Sequence, residues 1–168
     1  MTEAVEQYDA QHVNPLDSVE DVLSGYNWVY SRTNDQELVV EVSGKGCEYK
    51  ILFLWQQEFN ALQLCCQYSL KVHPRNLDYA AATLMDINAA LWMGHFDVTR
   101  ESLAPCFRYT AMLQGQDNDK HHDYIEDLVD ISLVQCERYE TVFRMLGTQE
   151  NVDSQTLSLA MMETVGES

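Results

Sequence analysis

Three stretches between residues 37 and 72 alternate apolar and polar side chains at a period of two, and few folds accept that pattern. Leu38, Val40 and Val42 face away from Glu37, Glu41 and Ser43. Cys47, Tyr49, Ile51, Phe53 and Trp55 form the second stripe, and Leu62, Leu64, Cys66, Tyr68, Leu70 and Val72 the third. Alternation of this kind marks strands with one buried face. The links are short, with a turn at Gly44-Lys45-Gly46, so the stripes predict an antiparallel meander covered on one side. Residues 28–32 are a candidate strand ahead of it, ended by the turn residues Thr33-Asn34-Asp35.

Helical spacing brackets this block. Asn14 before Pro15 is an N-cap followed by proline at the first helical position, and Leu16, Val19, Val22 and Leu23 share one face of a helix over 15–24 that Gly25 ends. His73-Pro74-Arg75 breaks the sheet. A helix then spans about 77–93, with Leu77, Ala80, Ala81, Leu84, Ile87, Asn88 and Leu91 inward and Gly94 as its stop. Phe96 and Val98, a turn at 100–102, then Phe107, Tyr109, Ala111 and Leu113 give a second hairpin. After a polar loop at 114–119, a helix over about 121–146 buries Ile125, Leu128, Ser132, Cys136, Tyr139, Phe143 and Leu146. Asp153 or Ser154 caps a last short one. The expected fold is α+β, an antiparallel sheet (meander plus hairpin) packed by helices, in the order α-ββββ-α-ββ-α-α. Residues 1–13 are expected to be a mobile arm and 14–168 a single domain.

Charge narrows the function classes. The 168 residues carry 27 acidic and 10 basic side chains, a formal net of −17. Nucleic-acid and anionic-membrane binding rest on Lys/Arg neutralising phosphates, so this balance argues against both. Residues 1–25 hold six acids and no base, 117–150 nine acids against three bases, and 26–116 nine against seven. The acidity thus belongs to the ends and the long helix, while the predicted sheet is nearly neutral.

Five cysteines without CxxC spacing, and a start that is acidic rather than basic then apolar, suit a reducing cytoplasm. Cys65 and Cys66 are strand neighbours and point to opposite faces, which disfavours a disulfide between them. His121 and His122 lie among Asp117, Asp119 and Asp123, and are read as a solvated helix start rather than a metal site. GxSxG, P-loop, GxGxxG and HExxH patterns are absent. No catalytic residue, cofactor or metal is predicted. Arg108, on the polar side of its strand, is expected to pair with an acid. Trp28, Trp55 and Trp92 are expected in the core or an interface.

The second face of the sheet departs from the usual polar pattern. Val39, Leu52, Leu54, Cys65 and Met112 lie opposite the inward stripes, rimmed by Glu37, Glu41, Glu48, Lys50, Gln63 and Gln67. An apolar centre inside a polar rim is how an interface is built. Two outcomes are open: a helix crosses to cover these side chains, or they form a homodimer or client surface.

The element order and its residues resemble the YbjN-like family of bacterial proteins. The likeness is carried by NPLDSVEDVL, ELVVEVSGKGCEY, LQLCCQY, INAALWMGHFDV, CFRYTAMLQG, VQCERYETVF and LAMMETVGES, in that order over residues 14–168. The chain departs after Phe143, where RMLGTQENV replaces a Trp-Gly-rich link. The resemblance implies a sensory-transduction regulator with a fold like that of type III secretion chaperones, which are small acidic dimers that bind other proteins. It also marks Asn88 as a recurrent position, expected to be a buried amide bonding the turn at Gly94-His95. The expected function is a non-catalytic, protein-binding regulator or chaperone-like adaptor, homodimeric, with an unidentified protein partner. The alternative is a small-molecule sensor with a pocket near Trp92, Phe96 and Tyr109.

Overall fold

The computed structural model describes residues 13–113 and 118–165. The Asn14 side chain accepts from Leu16 N at 2.9 Å and starts α1 (Pro15–Gly25), whose apolar face is fully buried. The helix is ended by Asn27, in left-handed conformation at φ 57°, with Trp28 N donating to Leu23 O at 3.1 Å. That turn consumes residues 26–28. The first strand therefore begins later than expected, as β1 (Tyr30–Asn34), and Trp28 stacks on Tyr26 at 4.6 Å.

β2 (Glu37–Ser43), β3 (Glu48–Gln56) and β4 (Ala61–Tyr68) follow the three stripes. β4 is shorter than its stripe. The chain leaves the ladder after Tyr68, and Val72 N bonds Leu103 O at 2.8 Å, so Val72 is buried without being in the sheet. A single turn at Pro74–Asn76 leads into α2 (Leu77–Ala90), which buries Ala80, Thr83 and Ile87 while Ala81 is exposed. β5 (His95–Val98) and β6 (Pro105–Met112) complete an antiparallel sheet of order β1-β2-β3-β4-β6-β5.

α3 (Asn118–Thr148) is longer than predicted, about 46 Å at 1.5 Å per residue. Of the expected polar loop, residues 114–117 lie outside the described residues and 118–119 are helical. The expected mobile arm, except Val13, also lies outside them. All seven side chains assigned to the inner face of α3 are buried, joined by Val129 and Val142. α4 (Ser154–Val165) packs on α3, with Asp153 accepting from Gln155 N and Thr156 Oγ1 at its start.

One face of the sheet holds the core. α1 and α3 pack together beneath it, and Phe96 sits edge-on to Phe107 and Tyr139 at 5.1 and 5.5 Å. Polar anchors fix this layer. Tyr68 Oη donates to Cys136 O at 2.6 Å, and Asn76 Nδ2 donates to Leu146 O at 2.9 Å. Arg32 binds Asp17 and Glu20 at 2.7 and 3.0 Å, tying α1 to the sheet edge. Arg144 pairs with Glu140 and donates to Gly46 O at 3.0 Å, holding the β2–β3 turn.

Candidate functional site: the open sheet face

Among the described residues, no helix crosses the second face. The ladder registers order it into rows. One row runs Ser31, Val39, Leu52, Cys65, Arg108, His95 across all six strands. The next, toward the turns, runs Glu41, Lys50, Gln67, Cys106, Asp97. On the other side lie Glu37, Leu54, Gln63 and Thr110. The face is concave and encloses about 320 Å³, with Val39, Leu52, Leu54 and Cys65 at its centre and the Thr99–Ala104 connection at one end.

Four of the five residues singled out from sequence therefore meet. Val39 and Leu52 are direct cross-strand neighbours, Leu52 and Cys65 are the next pair, and Leu54 flanks them. Met112 does not join. It pairs with Ala61 at the far end of β6 and is 60% exposed.

The sequence did not reveal the polar cluster beside this centre. Arg108 pairs with Asp97 through Nε, as a cation on a polar strand face should, and its Nη1 donates to Cys65 Sγ at 3.2 Å. Cys106 lies diagonally across from Cys65, and its thiol donates to Phe107 O at 3.6 Å. The polar Cys106 side chain beside it, helped by the Arg108 charge and opposed by burial, lowers the Cys65 thiol to about 7. The neighbouring Cys65 and burial hold Cys106 protonated, well above the ordinary thiol range. His95 Nε2 is 4.0 Å from Asp97 Oδ2. Alternation in residues 105–113 already places Cys106 and Arg108 on the outer face. Only the β4–β6 register puts them beside Cys65.

One other expectation changes. Trp92 is 98% exposed whereas Phe96 is buried, so they do not line one pocket as the sensor alternative required. Near the start of α3, ligand atoms of His122, Asp123 and Glu126 lie within 4.8 Å of one another. His122 and Glu126 have the i,i+4 spacing that the expectation of a solvated helix start passed over. Asp123 and Glu126 are exposed, and His122 is 3.7 Å from Asp123.

Asn88 is half-buried and bonds both backbone groups of Phe96, one residue beyond the turn proposed for it.

Residues 15–145 match the family model YbjN, described as "putative bacterial sensory transduction regulator". The chain belongs to the YbjN family. No curated protein matches it. A solved structure, the crystal structure of YbjN, "a putative transcription regulator from E. coli", superposes with a TM-score of 0.53 at 13% identity. The match covers 75% of this chain and 91% of that one, and shows that the two share the α+β fold. This YbjN-family chain has no helix, among the described residues, long and apolar enough to cross a membrane.

Proposed function

We propose that the protein is a non-catalytic regulator of the cytoplasm that docks through the concave sheet face, and that its first occupant is a second copy of the chain. The observation that carries this is the row Val39–Leu52–Cys65, with Leu54 beside it, set in a face that no described helix covers. Apolar centres with polar rims gain most of their binding energy from the desolvated middle.

Charge favours a second copy on this face. The acid-rich helices α1 and α3 lie on the opposite side of the sheet. Two copies meeting sheet to sheet keep those layers outermost, where solvent and salt screen them. The face itself mixes signs, with Glu37, Glu41 and Asp97 against Lys50 and Arg108, so a two-fold pairing can place unlike charges together. Val29, 91% exposed beside β1, extends the apolar ground at the sheet edge.

Photo-cross-linking from a benzophenone residue at position 52 tests the arrangement. Cross-linked dimers whose joined peptides come from β2, β3 or β4 of the other copy support it. Cross-links that fall on α3 or α4, or none at all, count against it.

A further inference from the structure

The open face holds two thiols, Cys65 in the docking row and Cys106 beside it, and their chemistry goes beyond docking. Cys65 and Cys106 are each 6% exposed, and both line the concavity, so small solutes reach them while the core cysteines are sealed. Cys66 and Cys136 are fully buried on the core side. Cys65 Sγ accepts from Arg108 Nη1 at 3.2 Å, and as a thiol it donates to Gln63 Oε1 at 3.5 Å. Cys47, the remaining thiol, is half-buried and held protonated by burial beside Glu137 and Glu140. Of the five cysteines, Cys65 is the one whose sulfur accepts a hydrogen bond from a guanidinium.

We propose that Cys65 is a hydroperoxide-reactive thiol, with Arg108 and Cys106 as its positioning residues. The Cys65 thiolate attacks the distal oxygen of a hydroperoxide. A sulfur–oxygen bond forms, the oxygen–oxygen bond breaks, and Cys65 becomes a sulfenic acid. The leaving alkoxide, or hydroxide from hydrogen peroxide, takes up one proton, matching the proton lost when the thiol ionised. Sulfur is oxidised by two electrons and the peroxide is reduced to alcohol or water. Arg108 lies where it can donate to the thiolate and then to the oxygen that gains charge. Thiolate character and access decide which cysteine oxidises first.

The chemistry is separate from docking, although a docked copy would shield the site. The reaction is therefore run across a protein dilution series. The test uses full-length Cys106→Ser protein, which keeps a hydroxyl donor beside Cys65 and removes the thiol able to consume a sulfenic acid. It is treated with one equivalent of hydrogen peroxide in the presence of dimedone, and the modified peptides are read by mass spectrometry.

Most of the dimedone should be on Cys65. Cys65→Ser should abolish the adduct, Cys47→Ser should leave its rate unchanged, and Arg108→Met, checked for native circular dichroism, should slow it at least several-fold. Adducts spread over the cysteines, or concentrated on Cys47, at the lowest protein concentration overturn the proposal. So does an unchanged rate in folded Arg108→Met. Failure here leaves the docking face unaffected, and loss of dimerisation leaves this reaction measurable.

Discussion

Asn88 closes a two-bond clamp on Phe96: its Nδ2 donates to Phe96 O at 2.9 Å, and its Oδ1 accepts from Phe96 N at 2.8 Å. The clamp turns the chain out of α2 and delivers Phe96 to the centre of the aromatic core. It also explains why α2 stops at Ala90, with Leu91 extended, although apolar spacing continues to Leu91. Gly94 adopts φ 68° in the same turn, against Phe107 and Arg108 O.

Asn88→Ala leaves two backbone groups of a nearly buried residue without partners, and should destabilise the protein by about 1–3 kcal/mol. Urea unfolding followed by circular dichroism checks this. Asn88→Asp retains only the acceptor and should fall between the two.

Asn76 ties the start of α2 to the end of α3. It is 1% exposed, and its amide donates to Leu146 O in the last turn of α3 and to Gln149 O just beyond it, carbonyls that the helix cannot satisfy itself. Asn76→Leu should cost about 1–3 kcal/mol by the same reasoning. Hydrogen exchange should quicken first in residues 143–160, while the amides of β3 stay protected.

The pH dependence of Cys65 follows from its lowered pKa. Because the folded protein favours the thiolate, the ionised fraction climbs as pH rises through about 7 and is nearly complete one unit higher. Alkylation of Cys65 by iodoacetamide should therefore rise about tenfold from pH 6 to 8 and then level off. An ordinary thiol continues to accelerate up to pH 9. Continued acceleration at Cys65 would show that Arg108 and Cys106 do not hold the thiolate.

Legibility followed distance along the chain. The stripes at 37–43 and 47–55 gave β2 and β3 within a residue, because side-chain alternation is local and one face is uniformly apolar. Elements failed where a distant partner decides. β4 ends early because Val72 bonds Leu103, and α2 ends early because Asn88 bonds Phe96. The candidate face was legible in the same uneven way. Val39, Leu52, Leu54 and Cys65 could be assigned to one side by parity alone. That Cys106 and Arg108 flank Cys65, and that Met112 stands apart, depends on the β4–β6 register, which joins residues more than forty positions apart.

Met112 provides an internal contrast. It is apolar and exposed on the same side of the sheet, but it lies two residues along β6 beyond Thr110 and outside the concavity. Met112→Asp should leave self-association within about twofold of the parent protein, since a peripheral charge mainly alters association rate. Sedimentation velocity over a concentration series measures this.

The docking face itself is tested most directly by light scattering of the purified protein from sub-micromolar to tens of micromolar concentration, alongside Leu52→Asp. The parent chain, 19.3 kDa, should approach about twice that mass as concentration rises. Leu52→Asp, which puts a charge in the centre of the open face without entering the core, should stay near 19.3 kDa with an unchanged circular dichroism spectrum. A parent protein that remains monomeric throughout, or a folded Leu52→Asp variant that dimerises as well as the parent, would contradict the account.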